Sequence, residues 1–331
     1  MSSKEDSLVE RIGSISNGAL DGGWKVTKEA VASADQQRKE ELTQQAELLY
    51  ISPSSEIARE ILFGNPSDEM LKFLTGEFLK TEINVFDLYR RVGRIDEARE
   101  LGEKTLERSV DVEDTSLINR CGNKLNLVRS AEAYNYLAAN DFERAYTAFS
   151  EIERIFGSMN TTSPQGKEAI TFYSTRAANL LNMVDISISR GISAEDVDRN
   201  LLFAEEYNLK SRNFVDNSDL SDEDRSIWLA NIHHDLGLIH QFRGDLDGAI
   251  KDYRIALSTS KKGSEYNLQI MTLNVRLTNA LISSQNPIYT DEIKSNYELI
   301  DRYISEGKNF GINDPLINPL VGRIRTWNEN H

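Results

Sequence analysis

The chain has 331 residues, with 53 Asp and Glu against 38 Lys and Arg, a net charge of -15 and 39% hydrophobic residues. A field of that sign works against the phosphates of DNA and RNA and against anionic membrane surfaces, whereas a basic face on a partner would be steered toward it. The lone Cys121 excludes an internal disulfide, and no apolar run approaches the roughly 20 residues needed to span a bilayer. The amino terminus, MSSKEDSLVERIG, lacks the apolar centre of a secretory signal. A reducing compartment, the cytoplasm, is therefore expected, and the Asn160-Thr161-Thr162 sequon is expected to carry no glycan.

Taken in chain order, residues 1–22 are polar and glycine-bearing around Leu20-Asp21, which reads as a short helix or loose arm. Trp24–Tyr50 reads as one helix with a Gln/Glu/Lys face suited to solvent. Ser54–Phe63 is a short helix ended by Gly64-Asn65-Pro66. Five helix pairs are expected next, at about 67–108, 115–156, 166–212, 222–260 and 264–307. A final helix over Asp314–Asn330 is opened by Pro315. The organisation expected is an amino-terminal arm with capping helices over 1–66, a helical array over 67–307 and a carboxy-terminal cap over 308–331.

Periodicity carries these assignments. Ile232, Leu236, Ile239 and Phe242 recur at spacings of three and four, as one helix face requires. Leu71, Phe73, Leu74, Phe78, Leu79, Ile83 and Phe86 form a broader stripe suited to packing on both sides. Helix starts are marked by Ser54 or Ser55 before Glu56, Ser67 before Asp68-Glu69, Ser193 before Glu195, and Ser221 before Asp222. A serine hydroxyl at such a place can accept an orphan backbone N–H while the acids meet the positive helix end. The stretches 157–166 and 215–223 read as long polar loops. Few prolines and no long alternating β-branched run leave strands little to build on, so the fold class is all-α.

The stretch Asn231–Ser260, NIHHDLGLIHQFRGDLDGAIKDYRIALSTS, adds a family resemblance. Leu236-Gly237, His240, Gly244, Asp245, Ala249, Tyr253 and Ala256 resemble the helix-turn-helix unit of tetratricopeptide repeats. His233 departs from that pattern, and Lys261 stands where the unit usually ends in proline. Weaker echoes place Tyr89, Gly93, Asp96, Ala98 and Gly102 in one unit, and Ala133, Tyr136, Asn140, Ala145 and Phe149 in another. The intervals between Ala98, Ala145 and Ala249 are 47 and 104 residues. They leave room for one degenerate unit over Phe172–Lys210, turning at Arg190-Gly191. The resemblance implies a right-handed α-solenoid of about five antiparallel helix pairs, with repeats near 50 residues, longer than the family norm. It further implies that Gly237 lets the second helix approach closely.

Chemistry-bearing motifs are few. His233, His234 and His240 share one helix, but no Cys pair or HExxH spacing completes a zinc site. The repeat register places His233 and His240 on the packing side and His234 on the groove, where it is a candidate pH-sensitive contact. Asp216–Asp224 lacks the glycine and terminal Glu of a calcium loop, since Ile227 occupies the Glu place. No phosphate cradle or nucleophile elbow occurs, and Cys121, expected in an Asn-Arg-Cys-Gly-Asn turn, has no nearby His in sequence. No enzymatic activity and no cofactor or metal are expected.

What remains is a surface. In a stacked array the first helix of each pair lines the inner groove. Carrying the register across gives Ile83, Asp87, Arg90 and Arg91, then Ser130, Tyr134 and Leu137, then Asn231, His234, Leu238 and Gln241. Apolar anchors with a few polar selectors suit a peptide better than a phosphate polymer. The function expected is a non-enzymatic protein- or peptide-binding scaffold, its partner's basic face favoured by the net charge. The alternative is a regulatory receptor for a small signalling peptide that switches a partner protein.

Overall fold

The protein is described here by a computed structural model covering residues 3–63, 67–158, 166–260, 267–308 and 314–331. Among these residues there are thirteen α-helices, two short 3-10 turns and no strand. The first pairs are α1 (Ser3–Ala32) with α2 (Gln36–Phe63), α3 (Asp68–Val92) with α4 (Ile95–Asp111), and α5 (Thr115–Ala138) with α6 (Phe142–Ser158). They are followed by α7 (Gly166–Arg190) with α8 (Val197–Asn217), α9 (Asp222–Phe242) with α10 (Leu246–Thr259), α11 (Asn267–Ser284) with α12 (Thr290–Ser305), and α13 (Asp314–Glu329). None of the described helices is long and apolar enough to cross a membrane. The sequon at Asn160 and the repeat-ending place at Lys261 lie outside the described residues.

Three connections share one backbone solution. Gly93, Asn140 and Gly244 each adopt a left-handed conformation, with φ of 91°, 58° and 80°. Each donates its N–H three residues back, to Arg90, Leu137 and Gln241. The following residues, Arg94, Asp141 and Asp245, donate five residues back, to Tyr89, Tyr136 and His240, at 2.8 to 2.9 Å. These bonds satisfy carbonyls that a helix end otherwise leaves open, and glycine or asparagine takes the conformation at least cost. Arg94, Asp141 and Asp245 then accept at 3.0 Å from the N–H of Ala98, Ala145 and Ala249, all fully buried. The three turns thus share one backbone geometry.

The amino-terminal third differs from the sequence reading. Of the two readings for residues 1–22, the described part is helix rather than arm, and α1 runs unbroken through Gly18, Gly22 and Gly23. Gly23 is a site of close approach: a Cβ there would lie 2.5 Å from the Tyr50 ring on α2. The chain instead turns at Ser33-Ala34-Asp35, where the Asp35 carboxylate accepts from the Arg38 N–H at 2.6 Å and opens α2. Trp24–Tyr50 is therefore two helices, and Ser54–Phe63 belongs to the second of them. Pro53 does not end α2, although it cannot donate to the Leu49 carbonyl. The Ser52 hydroxyl donates to that carbonyl instead, at 2.9 Å. Ser54 is no cap, since its hydroxyl pairs with Thr81 of α3 at 2.8 Å.

Farther along, Ser67 and Ser221 do cap α3 and α9. Ser193 is left-handed and makes no capping bond. The expected loop over 215–223 is shorter, because α8 continues to Asn217 and buries Val215, whose carbonyl accepts from Arg225 at 2.7 Å.

The chain divides into two compact units, residues 1–132 with 154–162, and residues 133–153 with 163–331. In the first, Val26, Leu42, Tyr50, Val85 and Leu88 join α1, α2 and α3 in one apolar cluster. Ile12, Ile57, Met70 and Leu74 form another. In the second, Ile170, Val215, Leu220 and Ile232 unite α7, α8 and α9, while Met271, Val275, Ile300 and Ile324 unite α11, α12 and α13. Burial of side chains of this size stabilises by about 1.5–3 kcal/mol each.

Two contacts in the second unit join its helices closely. A Cβ at Gly237 would lie 2.6 Å from the ring of Tyr253, which is fully buried on α10. Arg276 on α11 pairs with Asp185 on α7 at 2.7 Å, with side-chain exposures of 7% and 15%.

Two substitutions test this packing. Gly237→Ala should lower stability by about 1–3 kcal/mol, because backbone and ring must part. Gly76→Ala, where a Cβ meets nothing within 4 Å, should instead stabilise by up to about 1 kcal/mol through helix propensity. Equal chemical-denaturation midpoints for the two would contradict the packing at Tyr253. Asp185→Ala should cost about 3–5 kcal/mol, since it strands a buried guanidinium. A loss below about 1 kcal/mol, as for an exposed pair, would place the pair at the surface.

Candidate functional site

The groove residues expected from the repeat register fall into different environments. Ile83, Leu137 and Leu238 are core side chains, at 0%, 0% and 6% exposure, and offer no surface to a ligand. A register one residue off turns a helix by about 100°, enough to exchange the packing stripe for its neighbour. Ser130 is likewise buried.

In the second unit the remaining candidates are tied to other helices. The Tyr134 hydroxyl accepts from Asn182 of α7 at 3.0 Å, and its ring meets Phe149 edge-on at 5.5 Å. Burial pushes that phenol above its ordinary range. Asn231 accepts from Gln269 of α11 at 2.5 Å, and Gln241 accepts from the Tyr253 hydroxyl at 2.7 Å. His234 is only partly exposed, at 25% of its side chain. Its Nδ1 lies 3.0 Å from Asp235, its ring is 6.3 Å from that of Tyr253, and its Nε2 is enclosed without a partner.

His233 and His240 bracket one carboxylate of α10. His233 Nδ1 lies 2.8 Å from Asp252 Oδ1, and His240 Nε2 lies 3.4 Å from Asp252 Oδ2. His240 Nδ1 also lies 2.9 Å from Asp245. Both rings thus fasten α9 to α10, as packing-side residues do. Among the described residues no group of three or more His, Cys, Asp or Glu is placed to hold a metal ion.

In the first unit the candidates do converge. Asp87, Arg90 and Arg91 lie together on α3, with Asp87 receiving Arg90 at 2.8 Å and Arg91 at 3.0 Å. Lys124 of α5 reaches the same carboxylate at 2.9 Å. One turn earlier, Arg120 of α5 donates to Asn84 of α3 at 3.1 Å. These two bridges advance together along both helices, so α3 and α5 run in the same direction and side by side. On the other flank of α3, the Arg91 guanidinium lies 4.6 Å from the Trp24 ring of α1. A cavity of about 310 Å³ opens among these helices, lined by Ser16, Leu20, Tyr50, Lys80, Asn84 and Arg120 among others. The Ser16 hydroxyl within it is enclosed without a hydrogen-bond partner.

Electrostatics mark this face out. Burial alone would raise the Asp87 carboxyl, but Lys124, Arg90 and Arg91 outweigh it and bring the group down to about 2. Its side chain is only 11% exposed, whereas Lys124 and Arg91 are 31% and 30% exposed. Glu77, also 11% exposed, sits beneath Lys80 in the same way. Acids lie under the surface and their cations over it.

Trp24, Asn84, Arg120 and Lys124 were not reached from the repeat register. Spacing of four, three and four along Lys80, Asn84, Asp87 and Arg91 marks the α3 stripe in the sequence itself. Their partners on α1 and α5 depend on how neighbouring helices are staggered, which spacing within one helix does not encode. Cys121 is in mid-helix on α5 rather than in a turn, with its Sγ 3.8 Å from the Gly102 carbonyl. Burial pushes its thiol up to about 12, far from a nucleophile at neutral pH.

The molecule is thus an all-helical protein whose helices pack in neighbouring pairs. No family model matches the sequence, and no curated protein matches it. Among solved structures it is similar to BtubC (BKLC) from P. vanneervenii, at 15% identity and a TM-score of 0.40, over 87% of this chain and 92% of that one. A likeness that loose fixes neither family nor activity.

The Asp87 cluster makes a pH prediction. A carboxyl lowered from 3.8 to about 2 on folding contributes stability that is present above pH 3.8 and is lost as the pH falls through about 2. Its size is about 2 kcal/mol. Asp87→Asn lacks this contribution, so its stability deficit relative to the native chain should shrink between about pH 4 and pH 2. Urea titrations giving a deficit independent of pH would show that the three cations do not hold the carboxylate.

Proposed function

We propose that the chain is a non-enzymatic protein- or peptide-binding scaffold. In this reading its helix pairs stack in the right-handed manner of tetratricopeptide repeats within each unit. The first helices of successive pairs then offer an inner face to an extended or helical segment of another polypeptide. The single observation that carries the reading is the pair of bridges between alternate helices, Asn84 to Arg120 and Asp87 to Lys124. They make α3 and α5 neighbours although α4 lies between them in sequence, so one surface is built from first helices alone. Supporting it are the matched turns at Gly93, Asn140 and Gly244, and the fully buried Ala98, Ala145 and Ala249. A surface of polar side chains on rigid helices, with Cys121 inert and its carboxylates paired to cations, suits recognition better than bond-making.

A peptide display library panned against the full chain tests the reading. Enriched peptides should bind in solution and lose about tenfold or more in affinity to the variant Asn84→Ala/Arg120→Ala, a change of at least roughly 1.4 kcal/mol. Both side chains are near the surface, so the variant's stability should stay within about 1 kcal/mol of the native chain. Failure to enrich any peptide, or binding indifferent to the variant, would end the scaffold reading for this face.

A further inference from the structure

The second unit carries a cavity of about 390 Å³ between the turn that joins α11 to α12 and helix α13. That volume lies within the range of small-molecule sites, toward its lower end. Buried Leu281 and Ile293 line it, as does half-buried Trp327 of α13, whose ring stacks on His331 at 4.5 Å between centroids. Ile282 lines it too and packs on the apolar cluster that joins α11, α12 and α13. The walls are therefore held by the core beneath them.

Two polar side chains in this lining have donors left to give. Arg323 of α13 makes no ion pair or hydrogen bond among the described residues, whereas its neighbour Arg325 reaches Asp301 at 3.5 Å. Gln285 makes no side-chain bond among them either, and its backbone is left-handed, with φ of 52°. Its N–H donates three residues back, to Ile282, as at Gly93, Asn140 and Gly244. Glutamine takes that conformation at greater cost than glycine or asparagine. What it adds at this turn is a side-chain amide in the cavity. None of the described lining residues is acidic, on a chain whose net charge is -15.

We infer that this cavity binds a small aromatic monocarboxylate, its carboxylate on Arg323, its ring against Trp327 and Ile293, and the Gln285 amide as a second polar contact. Three physical arguments select that class. The planar guanidinium matches a carboxylate through two parallel charge-assisted hydrogen bonds. It is also the one arginine or lysine of the lining, so it balances a single negative charge and leaves a phosphate dianion half-compensated. An indole beside aliphatic side chains gives an aromatic body both stacking and apolar burial, while a few polar groups fix its orientation. The site stands apart from the scaffold reading, because all its lining residues lie beyond residue 280 and none belongs to α3 or α5.

The test is a ligand-detected NMR titration of the full chain with phenylpropionate, neutral phenylpropionamide, phenyl phosphate and a short peptide ending in phenylalanine. Phenylpropionate should bind at least about tenfold more tightly than its amide. Arg323→Gln should weaken it about tenfold or more, and Arg325→Gln, the same change of charge two residues away, should leave it unchanged. Gln285→Gly should weaken binding about threefold or more while the denaturation midpoint holds or rises, since glycine relieves the left-handed backbone. A purely structural role for Gln285 would not separate those two readouts. No binding of phenylpropionate up to about 10 mM, equal affinity for acid and amide, or binding indifferent to Arg323→Gln would overturn the inference. Tighter binding of phenyl phosphate would assign the cavity to a dianion and also overturn it. So would a peptide that outbinds phenylpropionate about tenfold or more, which would assign the cavity to a protein terminus. Each of these failures leaves the display experiment, and the scaffold reading with it, to be decided separately.

Discussion

Close approach of helices at positions without a side chain is the constraint from which the rest of the structure follows. Tyr253 fills the space that a Cβ on Gly237 would need, Leu125 does so at Gly102, and Tyr50 at Gly23. Each contact joins two helices that are neighbours in sequence. Where the ring or branched chain lies against bare backbone, the helices are held close, and the buried alanines at 98, 145 and 249 fit the same demand. The left-handed turns at Gly93, Asn140 and Gly244 supply the other half of the device. They reverse the chain within a few residues and satisfy two carbonyls of each helix end, so each second helix returns at a fixed height.

Once pairs are fixed in this way, polar side chains can be placed between alternate helices at little risk. In the first unit the result is the Asp87 cluster, where burial of a carboxylate is offset by three cations rather than one. In the second, the bonds of Tyr134 and Asn231 to α7 and α11 do this, and the Asp185 to Arg276 pair reaches farther, from α7 to α11. Groups of this kind specify one register between helices, because a slipped helix would leave a buried charge unpaired. They also decide the sign of the surface. Acids that accept from several donors sink below the face and the cations remain above it, so a local field can oppose the net charge of the chain.

Much of the fold was legible along the chain. Three-and-four spacing marked the helices from 67 onward, and Ser67 and Ser221 opened two of them as hydroxyl caps do. The glycine and asparagine turns were readable because only certain residues take a left-handed conformation cheaply. The same rules misplaced the beginning. Gly22-Gly23 and Pro53 look like breaks, but the first accommodates Tyr50 and the second is repaired by Ser52. Both outcomes depend on a neighbour that the local pattern does not contain. The side chains around Asp87 were legible only in part: Asp87, Arg90 and Arg91 share one stripe of α3, Ile83, Leu137 and Leu238 proved to be core, and the contacts of Arg120, Lys124 and Trp24 could not be read from spacing.

The sequence by itself determined what is periodic or conformationally restricted: an all-helical chain, where most helices turn, and which alanines and glycines face a partner. Those properties reside in spacing and in single-residue backbone energetics, both of which act locally. Tertiary structure alone decided which side chains meet between helices. The stagger of α1, α3 and α5 comes from packing at Gly23, Gly102 and the apolar clusters beneath them, summed over residues far apart in the chain. That stagger brings Lys124 and Arg120 of α5 against Asp87 and Asn84 of α3, so one buried carboxylate lies beneath three cations.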